Sequence, residues 1–162
     1  MSIKKILSVG FELASNDVKY CNIQSDASLL DWDIVLFKPN MDSYLSYAEI
    51  FQGKPSLSDS YSFQLKERCE HWRREIKDAV ESGKTVIVFL SELQEVYVDT
   101  GQRTYSGTGR NQKTTRHVSL HSNYTTIPEA IKPISTKGTA IKLVSKQYLC
   151  FGKNLKVYPN TK

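Results

Sequence analysis

The chain lacks any long hydrophobic run. Its longest, residues 86–90, is five residues, far short of the twenty or so that cross a bilayer, so a membrane-spanning helix is excluded. The N-terminal Met1-Ser2-Ile3-Lys4-Lys5 is basic, but the apolar stretch behind it is short and has no small-residue cleavage site, which argues against a secretory leader. Cysteine is scarce: Cys21, Cys69 and Cys150 are widely spaced and odd in number, which excludes a disulfide framework and points to a reducing, cytoplasmic setting. There is no repeat and no low-complexity tract. Acidic residues are absent from the whole stretch between Asp99 and Glu129.

That last absence is part of a larger asymmetry. Residues 1–99 hold 11 Lys and Arg against 16 Asp and Glu, a net −5, whereas residues 100–162 hold 11 against 1, a net +10. A basic half of this kind calls for an anionic ligand, a nucleic acid or an acidic protein surface, the acidic half of its own or another chain included. With 40% hydrophobic and 24% charged residues, the 162-residue chain has the composition of one globular domain with a real core.

The first 99 residues read as alternating strands and helices. Residues 3–9 and 18–23 read as strands, and the connection between them is too short for a full helical crossover, so they are either an antiparallel pair, the reading preferred, or joined by a very short helix around "FELA". Residues 26–30, "DASLL", read as a brief helical turn, and "DSYLSYAEIF" as a short helix. The continuous apolar run Ile34-Val35-Leu36-Phe37 suggests a strand covered on both faces. The strongest signal is a helix over residues 60–82. There Leu65, Cys69, Trp72, Ile76, Ala79 and Val80 follow steps of three and four, and Gly83 supplies the stop. It feeds a β-branched strand at residues 85–90, which completes a βαβ unit. Beyond it, residues 95–99 and 117–121 read as strands flanking a basic loop, and "TAIKLVS", "YLCFG" and "LKVYP" as further short strands. The chain ends without a capping element, which reads as a piece of something longer.

"SLLDWDIVLF", followed by a long helix and "VESGKTVIVFL", resembles the class I glutamine amidotransferase-like superfamily over about residues 28–90. The resemblance implies a three-layer, flavodoxin-like α/β core with a mainly parallel sheet. The loop-rich C-terminal part is expected to be antiparallel. Active members place a nucleophilic cysteine after a central strand, with a histidine and a glutamate later. Here "FLSELQ" stands at that point, with Ser91 and Glu92 but no cysteine, so the triad does not carry over.

Position alone nominates a pocket. In open α/β sheets ligands bind just outside the carboxyl ends of the strands, which picks out Asn40, Ser91 and Glu92. The segment "YSGTGRNQKTTRH" presents glycines and cations, with Arg103 just before it. Arg103, Arg110, Lys113 and Arg116 are the candidate anion-binding residues. Neither a Walker A nor a dinucleotide spacing is present, and no cofactor is expected. Tyr105 and Tyr124 beside these cations have the pattern of base stacking on a single strand. His117 and His121 share a strand face, with Asp99 or Glu95 as a third ligand, but no metal motif requires this and none is expected. The function expected is a non-catalytic binding or scaffold domain with a basic surface for an anionic partner. The alternatives are an amidotransferase-like hydrolase with a degenerate site and a nucleic-acid-binding protein.

Overall fold

A computed structural model of the chain describes residues 4–129 and 148–151. Within them the fold is α/β, with two sheets sharing one long helix. The expected strands in "TAIKLVS" and "LKVYP" lie outside the described residues. Among those described, no helix is long and apolar enough to cross a membrane.

The first sheet is parallel throughout. Strands β1 (Ile6–Val9), β2 (Val18–Cys21) and β3 (Ile34–Phe37) are followed, after an insertion, by β6 (Thr85–Phe89) and β9 (Tyr148–Phe151), in the order β2-β1-β3-β6-β9. Register pairs run Ile6↔Val18, Ile6↔Ile34, Ile34↔Thr85 and Val86↔Tyr148. The expected antiparallel pairing of the first two strands is therefore overturned. Four-residue strands are only about 13 Å long, and an extended link of eight residues reaches about 27 Å, so the chain returns without a helix. Of "YLCFG", Tyr148–Phe151 is likewise a strand of this parallel sheet and not of an antiparallel C-terminal part.

Gly10 makes the turn out of β1. Its φ is +83°, and a Cβ there would stand 2.4 Å from the Lys38 carbonyl oxygen. Gly10→Ala should cost about 2 kcal/mol or more through positive φ and this clash, seen as a lowered urea midpoint with an unchanged slope.

The expected turn helix at residues 26–30 is absent. Ser25 Oγ instead accepts the Ala27 N–H, and Glu75 reaches across to accept from the Leu29 N–H at 2.8 Å and from Ser28 Oγ at 3.0 Å. Of "DSYLSYAEIF" only α1 (Asp42–Leu45) is helical. The rest enters a hairpin of β4 (Glu49–Phe51) and β5 (Lys54–Ser56).

Helix α2 (Asp59–Glu81) matches the expected span within a residue. All six residues of its apolar stripe are buried, and Gly83 follows with φ +78°. The stripe serves two cores. Trp72, Ile76, Ala79 and Val80 pack with Leu7, Val9, Val35, Phe37, Val86 and Val88 of the parallel sheet. Leu65 and Cys69 pack with Met41, Tyr44, Leu57, Val96 and Val98 beneath the second sheet.

The second sheet is mixed, in the order β4-β5-β7-β8, with β7 spanning Glu95–Ser106 and β8 Lys113–Ser122. Strand β5 joins β7 in parallel through Ser56↔Tyr97, and β7 and β8 form a long antiparallel hairpin. Most of the expected basic loop is thus strand. Only residues 107–112, with a 3₁₀ turn at Gly109–Asn111, form the tip. The ladder is irregular between Asp99 and Arg103, and beyond that bulge the hairpin projects as a two-stranded arm.

Candidate functional site

Two places gather the residues singled out by sequence. The first lies at the carboxyl ends of β1, β3 and β6. The order of the parallel strands reverses direction between β1 and β3, the position where open α/β sheets form a ligand crevice. Asn40 does reach this point, its Nδ2 donating to Gly10 O at 3.4 Å, and Ser91 Oγ donates to Pro39 O at 2.8 Å. Glu92 contributes its backbone carbonyl while its side chain is exposed.

The crevice is filled from within the chain. Asn123, fully buried, donates through Nδ2 to Ser91 Oγ and Glu92 O, both at 3.0 Å, and to Pro39 O at 3.4 Å. Its Oδ1 accepts the Gln94 N–H at 3.1 Å. Tyr124 closes the side, its hydroxyl donating to Ser91 O, and burial holds that phenol above its ordinary pKa. Gln94 extends the network, accepting the Met41 N–H at 2.9 Å. The Ser91 hydroxyl is therefore engaged both as donor and as acceptor. Cys69 is no alternative nucleophile, because burial pushes its thiol up to about 12.

The second place is the arm and its root. Asp99 is only 5% exposed and sits where the bulge begins. Arg103 Nη1 donates to its Oδ1 at 2.8 Å, Arg116 Nε donates to Oδ2, and the Gly101 N–H donates to Oδ1. The hydrogen bond from Arg103 chiefly holds the Asp99 carboxyl well below the usual carboxylate range, with Gly101, Asp59 and Arg116 adding to it against the opposing effect of burial. Both arginines also reach Asp59 in the first turn of α2, at 2.6 Å from Arg103 and 3.3 Å from Arg116. Arg116 Nη2 donates to Leu57 O, and Lys66 Nζ to Asp99 O.

The four candidate cations thus divide. Arg103 and Arg116 are paired to acids of the chain's own acidic half, whereas Arg110 and Lys113 stand exposed at the tip. Tyr105 is 64% exposed on the arm, while Tyr124 belongs to the first site. His117 Nε2 meets Thr104 Oγ1 at 2.5 Å, and among the described residues no three His, Cys, Asp or Glu side chains converge as a metal set. A groove of about 480 Å³ runs along the root, with Tyr47, Glu49, Ser58, Asp59 and Arg116 in its walls. Tyr47 stacks on Tyr61 there, with ring centroids 5.2 Å apart.

Sequence reasoning missed Asn123 and Asp99 as organising residues. Comparison with known proteins gives no match to any family model, curated protein or solved structure.

Proposed function

We propose that the chain is a non-catalytic binding domain that presents the β7–β8 arm to a nucleic acid. The observation that carries this reading is the arm itself. Past Asp99 it is exposed along nearly its whole length, it holds no acid, and Arg110 and Lys113 project at its end. An isolated two-stranded ribbon is marginal in water, and here the root network supplies the anchorage that the free part lacks. A polyanion met by such a ribbon gains charge-assisted bonds from the tip, together with hydrogen bonds from the Thr, Gln and Asn side chains along it.

The parallel sheet acts in this reading as a flavodoxin-like scaffold, supported by its strand order and by the reversal between β1 and β3. A hydrolase of the amidotransferase type finds less support, because Asn123 occupies the crevice and engages Ser91.

The test is oligonucleotide binding followed by fluorescence anisotropy over a salt series. Wild-type affinity should fall steeply with salt. The double reversal Arg110→Glu and Lys113→Glu should abolish binding at moderate salt, and the double alanine variant should flatten the slope of log K against log salt by about 1.4 to 1.8. Absence of binding at low salt, for single strands and duplexes alike, would exclude this reading.

A further inference from the structure

The second sheet ends on one side at the three-residue β4 and on the other at the ten-residue β8. Two hydrogen bonds fix which backbone groups of β8 face inward. The Asn123 N–H donates to Gln94 O, continuing the Glu95↔Ser122 register, and the His117 carbonyl accepts from Thr100 Oγ1. His117, Ser119 and His121 therefore turn their N–H and C=O toward β7. Successive residues of a strand alternate, so Arg116, Val118 and Leu120 turn theirs to the open side. Among the described residues no hydrogen bond closes those outward groups. Ser122 is the exception, its N–H donating to Thr125 Oγ1 at 3.2 Å.

Native edge strands are usually blunted by a lysine, a proline, a bulge or a covering element. The run His117-Val118-Ser119-Leu120-His121-Ser122 contains neither lysine nor proline, the two residues that enlarge the ladder sit in β7, and Leu120 is 43% exposed. We propose that this edge pairs with the same edge of a second copy, antiparallel about a two-fold axis at Val118, joining two four-stranded sheets into one of eight.

The edge fits its own reverse. With the axis at Val118, the two valines face each other, Leu120 comes opposite the partner copy's residue 116, and Ser122 opposite its residue 114. No like charges meet, and a β-branched pair lies at the centre. An axis at Arg116 would set two guanidinium-bearing positions against each other, and one at Leu120 would leave only five residues in register. The antiparallel overlap also lays Lys113 opposite the other copy's Asn123, whose Nδ2 donates to Glu92 O, so the exposed Glu92 supplies the opposite sign beside it, Glu95 being already paired with Lys54. Such an isologous contact closes on itself and does not propagate. The ladder itself runs over residues 114–122, short of Arg110 and Lys113, and its test needs no nucleic acid.

Sedimentation equilibrium of the full chain should show a dimer. Leu120→Lys, which sets a cation against the partner copy's Arg116, and Val118→Pro, which removes an outward donor while sparing the ladder to β7, should each weaken it by at least about tenfold in Kd. Circular dichroism should show an unchanged fold. Amide exchange by NMR supplies a readout that needs no variant. In the dimer the amides of Arg116, Val118 and Leu120 are protected along with those of His117, Ser119 and His121, and dilution releases the first set only. A wild-type chain that stays monomeric at every concentration, or a dimer whose even-numbered amides exchange freely, would overturn the proposal.

Discussion

Replacing Trp72 by alanine is expected to remove about 4 kcal/mol from the unfolding free energy, a large share of the 5–15 kcal/mol, roughly, that holds a domain folded. The side chain is fully buried. It lies against Phe37 with ring centroids 5.6 Å apart, and its indole N–H donates to the Ile23 carbonyl at 2.6 Å. The substitution removes the largest buried side chain of the first core and leaves a buried carbonyl without its donor. Trp72→Phe separates the two losses. It keeps most of the ring volume, so the cost should drop to about 1–3 kcal/mol, the penalty for an unsatisfied buried acceptor. Urea titration by intrinsic fluorescence and circular dichroism measures both. A Trp72→Ala variant within 1 kcal/mol or so of wild type would show that α2 does not hold the parallel sheet.

Asp99→Asn is the second large effect. Removing the charge leaves Arg103 and Arg116 against Asp59 alone, and breaking a buried ion pair from one side costs about 3 kcal/mol. The pH dependence has a definite sign. The Asp99 carboxyl titrates lower in the folded chain than its unfolded value of about 3.9. Its contribution is therefore complete above that value and fades as pH falls through the folded one. Wild type and variant should differ most near neutrality and draw together only as pH falls below the usual carboxylate range in urea titrations. The amides of the arm should also exchange faster in the variant, because the root network is what fixes the ribbon to α2. A constant difference across pH would assign the loss to something other than the Asp99 charge.

What the sequence disclosed follows from how local each cause is. Helix α2 was legible because Leu65, Cys69, Trp72 and Ile76 repeat at helical spacing and Gly83 ends it. β3 and β6 were legible as unbroken apolar runs. The β4–β5 hairpin was not. Its turn has positive φ at Gln52 and Gly53, +49° and +77°, the two-residue hairpin geometry usually announced by Asn-Gly. Glutamine in the first position hides that signal, and Pro55 in β5 argues against a strand. The parallel relation of β1 and β2 was missed because the return needs reach and not a helix.

The candidate site shows the same division. Asn40 and Ser91 follow β3 and β6 in the chain and lie just past those strand ends, where each donates to a backbone carbonyl of a neighbouring loop. Asn123 escaped because its carbonyl partners come from loops 84 and 31 positions away in the chain. The basic segment was read as charge alone. Only the fold shows that Asp99 and Asp59 answer two of its cations and leave two at the tip.

The way the arm is rooted has a mechanical consequence. A pull on the tip is not taken up by the hairpin's own sheet alone. Arg103 and Arg116 pass it to Asp59, the first residue of α2. The helix is a rod about 34 Å long, and its far half is bedded in the other core. Load applied at the arm therefore has a path into both halves of the molecule, and the ion pairs at Asp59 are the link that carries it.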